Sequence, residues 1–361
     1  MKHQAHSLRI ALTADPELPV PPSQYGGIER IVDMLARALL ARGHSVTLFA
    51  HRASSCPVKH VPWPGSQSQS IADTIRNAAT LSRQVAVGRF DVVHSFSRIA
   101  YLAPILPWPV AKLMSYQRDI SERTTRAAVR LSRGTLEFSA ISRQMIEAKP
   151  LSGRWHLVPN GVPLHVYSFR EKVAQDAPLV FLGRIEAIKG PHLAIEIARR
   201  MRRRLVIAGN IPNEHSAWYE AHVAPHIDGE WVRYVGPVND AQKNALLGEA
   251  AALLMPILWE EPFGIVMAEA MACGTPVLGL RRGAVPEVVE HGVTGFVCDT
   301  VDELVAASAG LQMLRRSDAR ARVERLYGDE AVADGYMRIY LQLAKRQRSQ
   351  SAASLSSASE R

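Results

Sequence analysis

Apolar residues fall into short runs that alternate with longer segments of helical spacing. Residues 8–14 form a compact apolar run of strand character. Residues 28–42 then set Ile28, Ile31, Val32, Leu35, Leu39 and Leu40 on one helical stripe. Glu29 lies in the first turn of that segment and Gly43 just past its end, the polarity expected of a helix. A strand at 45–50 completes a β–α–β unit with a long first loop. The pattern predicts further strands at 91–96, 110–115, 136–141 and 155–158, with helices between them, one near 121–133. A polar stretch at 170–178 interrupts the rhythm, which then restarts. Strands are predicted at 179–182, 204–208, 232–235, 252–256, 276–280 and 295–298, with a helix at 192–201 and a last helix at about 330–346. Residues 349–361, mostly Ser, Ala and Gln, carry no such pattern and are expected to be disordered. Two series of alternating strands and helices predict an α/β protein with two parallel-sheet domains. The domains are taken as 1–170 and 171–330, followed by a C-terminal helix at 331–346 that can cross back to the first domain, and a tail at 347–361.

Length agrees with this division, since 361 residues suit two domains at roughly 100–200 residues each. With 47% apolar and 21% charged residues, the chain is neither a disordered polymer nor a fibre. No apolar run reaches the roughly 18 residues of a spanning helix, and the most apolar stretch, 101–114, is broken by Pro104, Pro107 and Pro109. Residues 1–9 contain no apolar core of a signal peptide. Cys56, Cys273 and Cys298 are too scattered for a disulfide framework or a metal knuckle, and fit a reducing cytoplasm. Charge changes the picture more. Residues 1–170 hold 21 Lys and Arg against 10 Asp and Glu, a balance of +11, whereas 171–361 hold 22 against 24, or −2. The basic excess belongs to the first half. It serves either the solubility of an Arg-rich surface or contact with something anionic.

Several chemistries are missing. No GxGxxG follows the first strand, no GxSxG elbow is present, and no GxxxxGK[ST] loop occurs. His222 and His226 have a metal-capable spacing, but Pro225 interrupts them and the glutamate of HExxH is lacking. The richest segment is 259–296. There a strand ends in a loop bearing Glu260 and Glu261, and Phe263-Gly264 opens a helix whose first N–H groups, near Ile265 and Val266, form an anion site at the carboxyl end of a parallel strand. Glu261 can be read as a complement to the helix dipole. Glu269 lies too far along for that and is flanked by Met267, Ala268, Ala270 and Met271, so its carboxylate needs a partner such as a ribose diol. A second constellation runs from Gly183-Arg184 to Lys189-Gly190, after the first strand of the second half. Its two cations either neutralise a diphosphate or sit in an ordinary solvated loop.

Together these segments resemble the retaining glycosyltransferases of family 4, the group 1 glycosyl transferases of the GT-B fold. The Glu-x7-Glu signature is matched by Glu261 and Glu269, and the Gly-Arg…Lys-Gly segment by Gly183, Arg184, Lys189 and Gly190. The N-terminal Gly-Gly loop is matched by Tyr25-Gly26-Gly27-Ile28-Glu29-Arg30, the Gly-His-x-Val turn by Gly43-His44-Ser45-Val46, and the interdomain Pro-Asn-Gly-Val by residues 159–162. Five ordered motifs at family spacing cover about residues 8–345.

The resemblance implies two Rossmann-like domains facing each other across a cleft. It implies Glu261 at the donor sugar, Glu269 at the ribose, and Arg184 and Lys189 at the diphosphate. Gly264, Ile265 and Val266 would offer backbone to the phosphates, and Gly26 and Gly27 would let the first domain's backbone approach them. Val238 would contact the base, with Lys243 a weaker candidate beside it. Many members carry a sugar-binding His where this chain reads Met114-Ser115-Tyr116-Gln117-Arg118-Asp119. Gln117 or Arg118 are the candidate replacements, and His94 is either a sugar contact or a packed structural histidine.

The implied activity is transfer of a hexose-type sugar from a nucleotide diphospho-sugar, a UDP-sugar, to an acceptor that the sequence does not identify, with retention and without a metal. The nucleotide-sugar is a substrate, and no cofactor is expected. A nucleotide-sugar epimerase of the same fold and a non-catalytic nucleotide-sugar or glycan binder remain as alternatives. No nucleic-acid partner is expected, because the basic cluster at 199–204 has a helix-dipole reason and no nucleic-acid motif accompanies it. The expected location is cytoplasmic, with peripheral contact at an anionic inner membrane face.

Overall fold

The computed structural model describes residues 7–22 and 26–359, with side chains described to residue 349. Tyr25, and most of the segment read for a signal peptide, lie outside the described residues. The chain divides into two units, Met1–Pro159 with Val332–Arg361, and Asn160–Ala331.

Unit 1 contains a seven-stranded sheet made of β1 (Arg9–Thr13), β2 (Ser45–Ala50), β3 (Lys59–Pro62), β4 (Val92–Ser95), β5 (Ala111–Tyr116), β6 (Leu136–Ala140) and β7 (Trp155–Leu157). Unit 2 contains a six-stranded sheet made of β8 (Leu179–Leu182), β9 (Leu205–Ala208), β10 (Val232–Tyr234), β11 (Ala252–Met255), β12 (Val277–Leu280) and β13 (Gly295–Cys298). The orders are β3-β2-β1-β4-β5-β6-β7 and β10-β9-β8-β11-β12-β13, and the pairings are parallel. Both sheets are doubly wound, as the run of buried apolar strands predicts. Strand order reverses between β1 and β4 in unit 1, where Ile10 pairs with Val92, and between β8 and β11 in unit 2, where Leu253 pairs with Val180.

β3 was not legible. It is an edge strand of half-exposed residues ending in Pro62, so it lacks the apolar run of its neighbours.

The junction also differs from the one read in sequence. Residues 160–170 belong to unit 2 rather than to a domain ending at 170, because their backbone is tied there. Val162 N–H donates to Tyr327 O (2.8 Å), and Arg170 N–H donates to Cys273 O (3.0 Å).

The last helix runs Asp329–Ser359, through the segment expected to be disordered at 347–361. No Gly or Pro follows Gly335, so nothing in the sequence terminates it. From Val332 onward it belongs to unit 1. Tyr336 and Tyr340 are buried there, Arg346 pairs with Glu137, and Asp334 pairs with Arg42 at 2.8 Å.

Candidate active site

Unit 2 builds its chemistry where ligands enter doubly wound sheets, on the loops leaving β8 and β11 at the switch point. These loops are tied to each other. Leu258 N–H donates to Ile188 O at 2.8 Å. Gly190 has φ 76°, and a Cβ on it would lie 2.0 Å from Pro256 O, so only glycine lets the two backbones meet. This approach brings Lys189 to Glu261, Nζ to Oε2 at 2.6 Å. Trp259 Nε1–H donates to the same oxygen at 3.1 Å, and the Lys189 ammonium stands 4.5 Å from the Trp259 ring centroid. Glu261 is buried, and its backbone is held from behind by Ala284 N–H, which donates to Glu261 O at 2.8 Å. Gly283 allows that contact, since a Cβ there would sit 2.3 Å from Glu261 N.

The helix Ile265–Ala272 begins directly after, capped by Gly264 in the left-handed region at φ 71° with no side-chain cap. Ile265 and Val266, although apolar, are half-exposed at its start. Their N–H groups have no carbonyl one turn behind them and face outward from the helix end. Glu269 is buried one turn further on. It has found the partners its apolar surroundings demanded, for its Oε1 accepts from Tyr167 Oη–H at 2.6 Å and from Lys243 Nζ at 2.5 Å. Val238 is half-buried in the loop after β10, and the next residue, Asn239, forms a capping box with Gln242 that opens the helix carrying Lys243. Arg184 is the most open member of the group, with 41% of its side chain exposed. Its Nη2 lies 2.9 Å from Glu186 Oε1 but without hydrogen-bond geometry, and that buried oxygen has no hydrogen-bond partner among the described residues. His215 Nε2 stands 3.2 Å from the other Glu186 oxygen. Burial, and then the nearby Glu269 carboxylate, push the Cys273 thiol up to about 12, which removes it as a nucleophile.

The unit 1 candidates are more dispersed. Gly26 is buried and Gly27 starts the helix Gly27–Ala41. A Cβ on Gly27 would meet nothing within 4 Å, so nothing in this fold itself requires glycine there. His94 is not available to a sugar, which corrects the first of its two readings. It is fully buried in β4, with Nδ1 2.6 Å from Tyr340 Oη, Nε2 2.6 Å from Ser115 Oγ, and its ring packed on Phe96 at 4.2 Å. Burial holds its pKa well below the ordinary value, so the ring is neutral. Gln117 follows β5, its Nε2 buried without a hydrogen-bond partner among the described residues, and Arg118 beside it is exposed. Arg118 faces Asp15, Glu17 and Glu29, of which the sequence singled out only Glu29. Burial, then Glu17, push Asp15 up to about 6, and burial raises Glu29 as well, each opposed by Arg118.

Tyr167, Trp259, Glu186 and His215 were also missed. Tyr167 lies in the segment read as the junction, and the others differ from ordinary loop residues only in what the fold sets beside them.

Residues 25–166 match the family described as Glycosyltransferase Family 4, and residues 168–325 the family described as Glycosyl transferases group 1. The chain is 27% identical to a D-inositol 3-phosphate glycosyltransferase of Xylanimonas cellulosilytica, over 89% of this chain and 93% of that protein. It is 26% identical to a phosphatidyl-myo-inositol mannosyltransferase of Mycobacterium leprae, over 92% and 96%. The crystal structure of AviGT4, a glycosyltransferase involved in avilamycin A biosynthesis, is similar at a TM-score of 0.71 and 25% identity, covering 94% of this chain and 98% of that one. With both halves matched in order and two doubly wound sheets behind them, the chain belongs to the group 1, family 4 glycosyltransferases of the GT-B fold.

Proposed function

We propose that this glycosyltransferase moves a hexose-type sugar from a nucleotide diphospho-sugar, a UDP-sugar, to an acceptor hydroxyl, with retention of configuration and without a metal ion. The observation that carries this reading is the Lys189–Glu261 pair at 2.6 Å, next to a glycine-capped helix end, on the loops of the two switch-point strands. The diphosphate lies against the N–H groups of Ile265 and Val266, within reach of Arg184 and Lys189. As the sugar leaves, charge builds on the diphosphate, and these groups hold it in place of a metal. Glu261 keeps one oxygen on Lys189 and Trp259 and orients the sugar hydroxyls with the other. On the face the diphosphate leaves, the acceptor oxygen bonds to the anomeric carbon as the carbon–phosphate-oxygen bond breaks. The acceptor proton passes to the departing oxygen. Glu269 receives the ribose hydroxyls with the oxygen that Tyr167 and Lys243 leave open, and Val238 lines the base.

The two relatives compared above are named for inositol-type substrates, one bearing a free phosphate and one a lipid phosphate. That favours a polyol acceptor carrying an anionic group, which also suits the basic balance of unit 1. A panel of nucleotide-sugars, incubated with EDTA and no acceptor, tests the donor. Hydrolysis of UDP-sugars is expected, and hydrolysis confined to other nucleotides removes the UDP assignment. With an inositol phosphate as acceptor, NMR of the product reads the anomeric configuration, and an inverted product removes the mechanism.

A further inference from the structure

One face of unit 1 combines unpaired cations with exposed aliphatic side chains. The helices Ile71–Gly88 and Glu122–Ser132 lie on the same side of the sheet, where Leu81 and Val85 of the first and Ala128 of the second join one core with Val93, Met114 and Phe138. Their opposite sides are free. On the second helix Arg123, Arg126 and Arg130 are exposed at spacings of three and four residues, a single stripe, with Arg133 exposed just after it. Arg83 is exposed on the first helix. Among the described residues none of these five arginines pairs with a carboxylate. Asp73 is turned toward Arg76 and the backbone of Ser66 and Gln67, and Glu122 is the only acid on the second helix. The same two helices expose aliphatic side chains, Ile71, Ile75 and Val87 on the first and Leu131 on the second, 79%, 64%, 72% and 55% exposed.

We propose that this face docks the protein on an anionic lipid surface, with the arginines at the headgroups and the aliphatic side chains at the acyl boundary. A bilayer offers partners to both kinds of group. A nucleic acid offers partners only to the first, and neither helix contains an aromatic residue on which bases could stack. No helix of the described residues is long and apolar enough to cross a membrane, so the attachment is peripheral. It does not depend on the donor-site reading, because attachment is measured without turnover.

Cosedimentation of the full chain with phosphatidylcholine vesicles, with and without phosphatidylglycerol, tests the proposal. Binding is expected only to the anionic vesicles at 0.1 M salt, and release at 1 M, where the Debye length falls from about 10 Å to about 3 Å. Each arginine near an anionic leaflet contributes roughly a factor of five, so Arg123→Gln/Arg126→Gln/Arg130→Gln should lower the partition coefficient about a hundredfold. The melting temperature and UDP affinity of that variant should stay at wild-type values, which separates a failed surface from a failed fold or donor site. Ile75→Ser/Leu131→Ser should weaken binding as well. Absence of binding at low salt, wild-type binding by the triple variant, or binding indifferent to the two serines would each overturn the proposal; the last would leave a nonspecific polyanion site.

Discussion

Unit 1 and unit 2 wind their sheets in the same order, yet their switch points hold different chemistry. In unit 2 the two loops are stitched by a backbone hydrogen bond and a part-buried ion pair, with a helix end beside them. In unit 1 the equivalent strand ends meet through neutral hydroxyls, Thr13 Oγ1 lying 2.9 Å from Ser95 Oγ and 2.5 Å from Ser97 Oγ. Net charge runs the opposite way. Drawn at the structural boundary, unit 1 carries 25 Lys and Arg against 12 Asp and Glu, or +13, and unit 2 carries 18 against 22, or −4. The unit proposed to hold the diphosphate is therefore the acidic one. On the proposed reading, what attracts an anion there is not bulk charge but a few cations and N–H groups fixed by glycine-tight loops. Unit 1 has abundant positive charge, much of it on helix surfaces away from the strand ends.

The largest effect is expected at Lys189. On the proposed mechanism Lys189→Ala removes a cation from the leaving diphosphate, and it leaves the Glu261 carboxylate buried without its ammonium. Turnover of a nucleotide-sugar should fall about 10²–10³-fold, with a smaller change in donor KM, and Arg184→Ala should act in the same direction. Steady-state kinetics at wild-type kcat for either variant would show that cation to be structural.

At Glu269 the effect is on binding alone. Glu269→Ala should cost about 1.5–3 kcal/mol of UDP affinity, roughly tenfold or more in Kd by calorimetry. Tyr167→Phe, which removes one of the two bonds to Oε1, should cost less. An unchanged Kd in folded Glu269→Ala contradicts the ribose role.

In unit 1, His94→Ala should lower stability and leave UDP affinity alone. It deletes hydrogen bonds to Tyr340 and Ser115 and a buried ring, at a cost of about 1–3 kcal/mol in denaturant unfolding. Normal stability with lost UDP binding would return His94 to the site.

A further effect concerns pH. The Asp15 carboxyl rises from 3.8 to about 6 on folding, so folding favours its neutral form. Its contribution is full below about pH 3.8 and is lost as pH rises through 6. Asp15→Asn should match the wild type at pH 4 and exceed its stability at pH 7. A variant less stable at pH 7 would mean the carboxylate is held by a favourable partner.

Much of the fold was legible because parallel strands buried on both faces read as continuous apolar runs, as at 179–182 and 295–298. The half-exposed edge strand β3 gave no such signal, and neither did the end of a last helix without a stop residue. At the site, the position of Glu269 in an apolar helix announced a buried carboxylate with a partner, but not which partner. Lys243 is 26 positions away and Tyr167 is 102, and only the fold brings them together. The same holds for Lys189 and Glu261, 72 positions apart. His94 carried two readings in sequence, a sugar contact or a packed histidine, and the choice was decided by Tyr340, 246 positions later on the last helix.

Fixed protein groups of unit 2, rather than a metal, are proposed to hold the donor's diphosphate. Calorimetric titration of UDP in EDTA, on the wild type and on Arg184→Ala/Lys189→Ala, tests it most directly. Wild-type binding with the same Kd in EDTA as in magnesium is expected, and binding at least tenfold weaker in the double variant. Wild-type binding that disappears in EDTA, or a double variant that binds UDP as the wild type does, would contradict it.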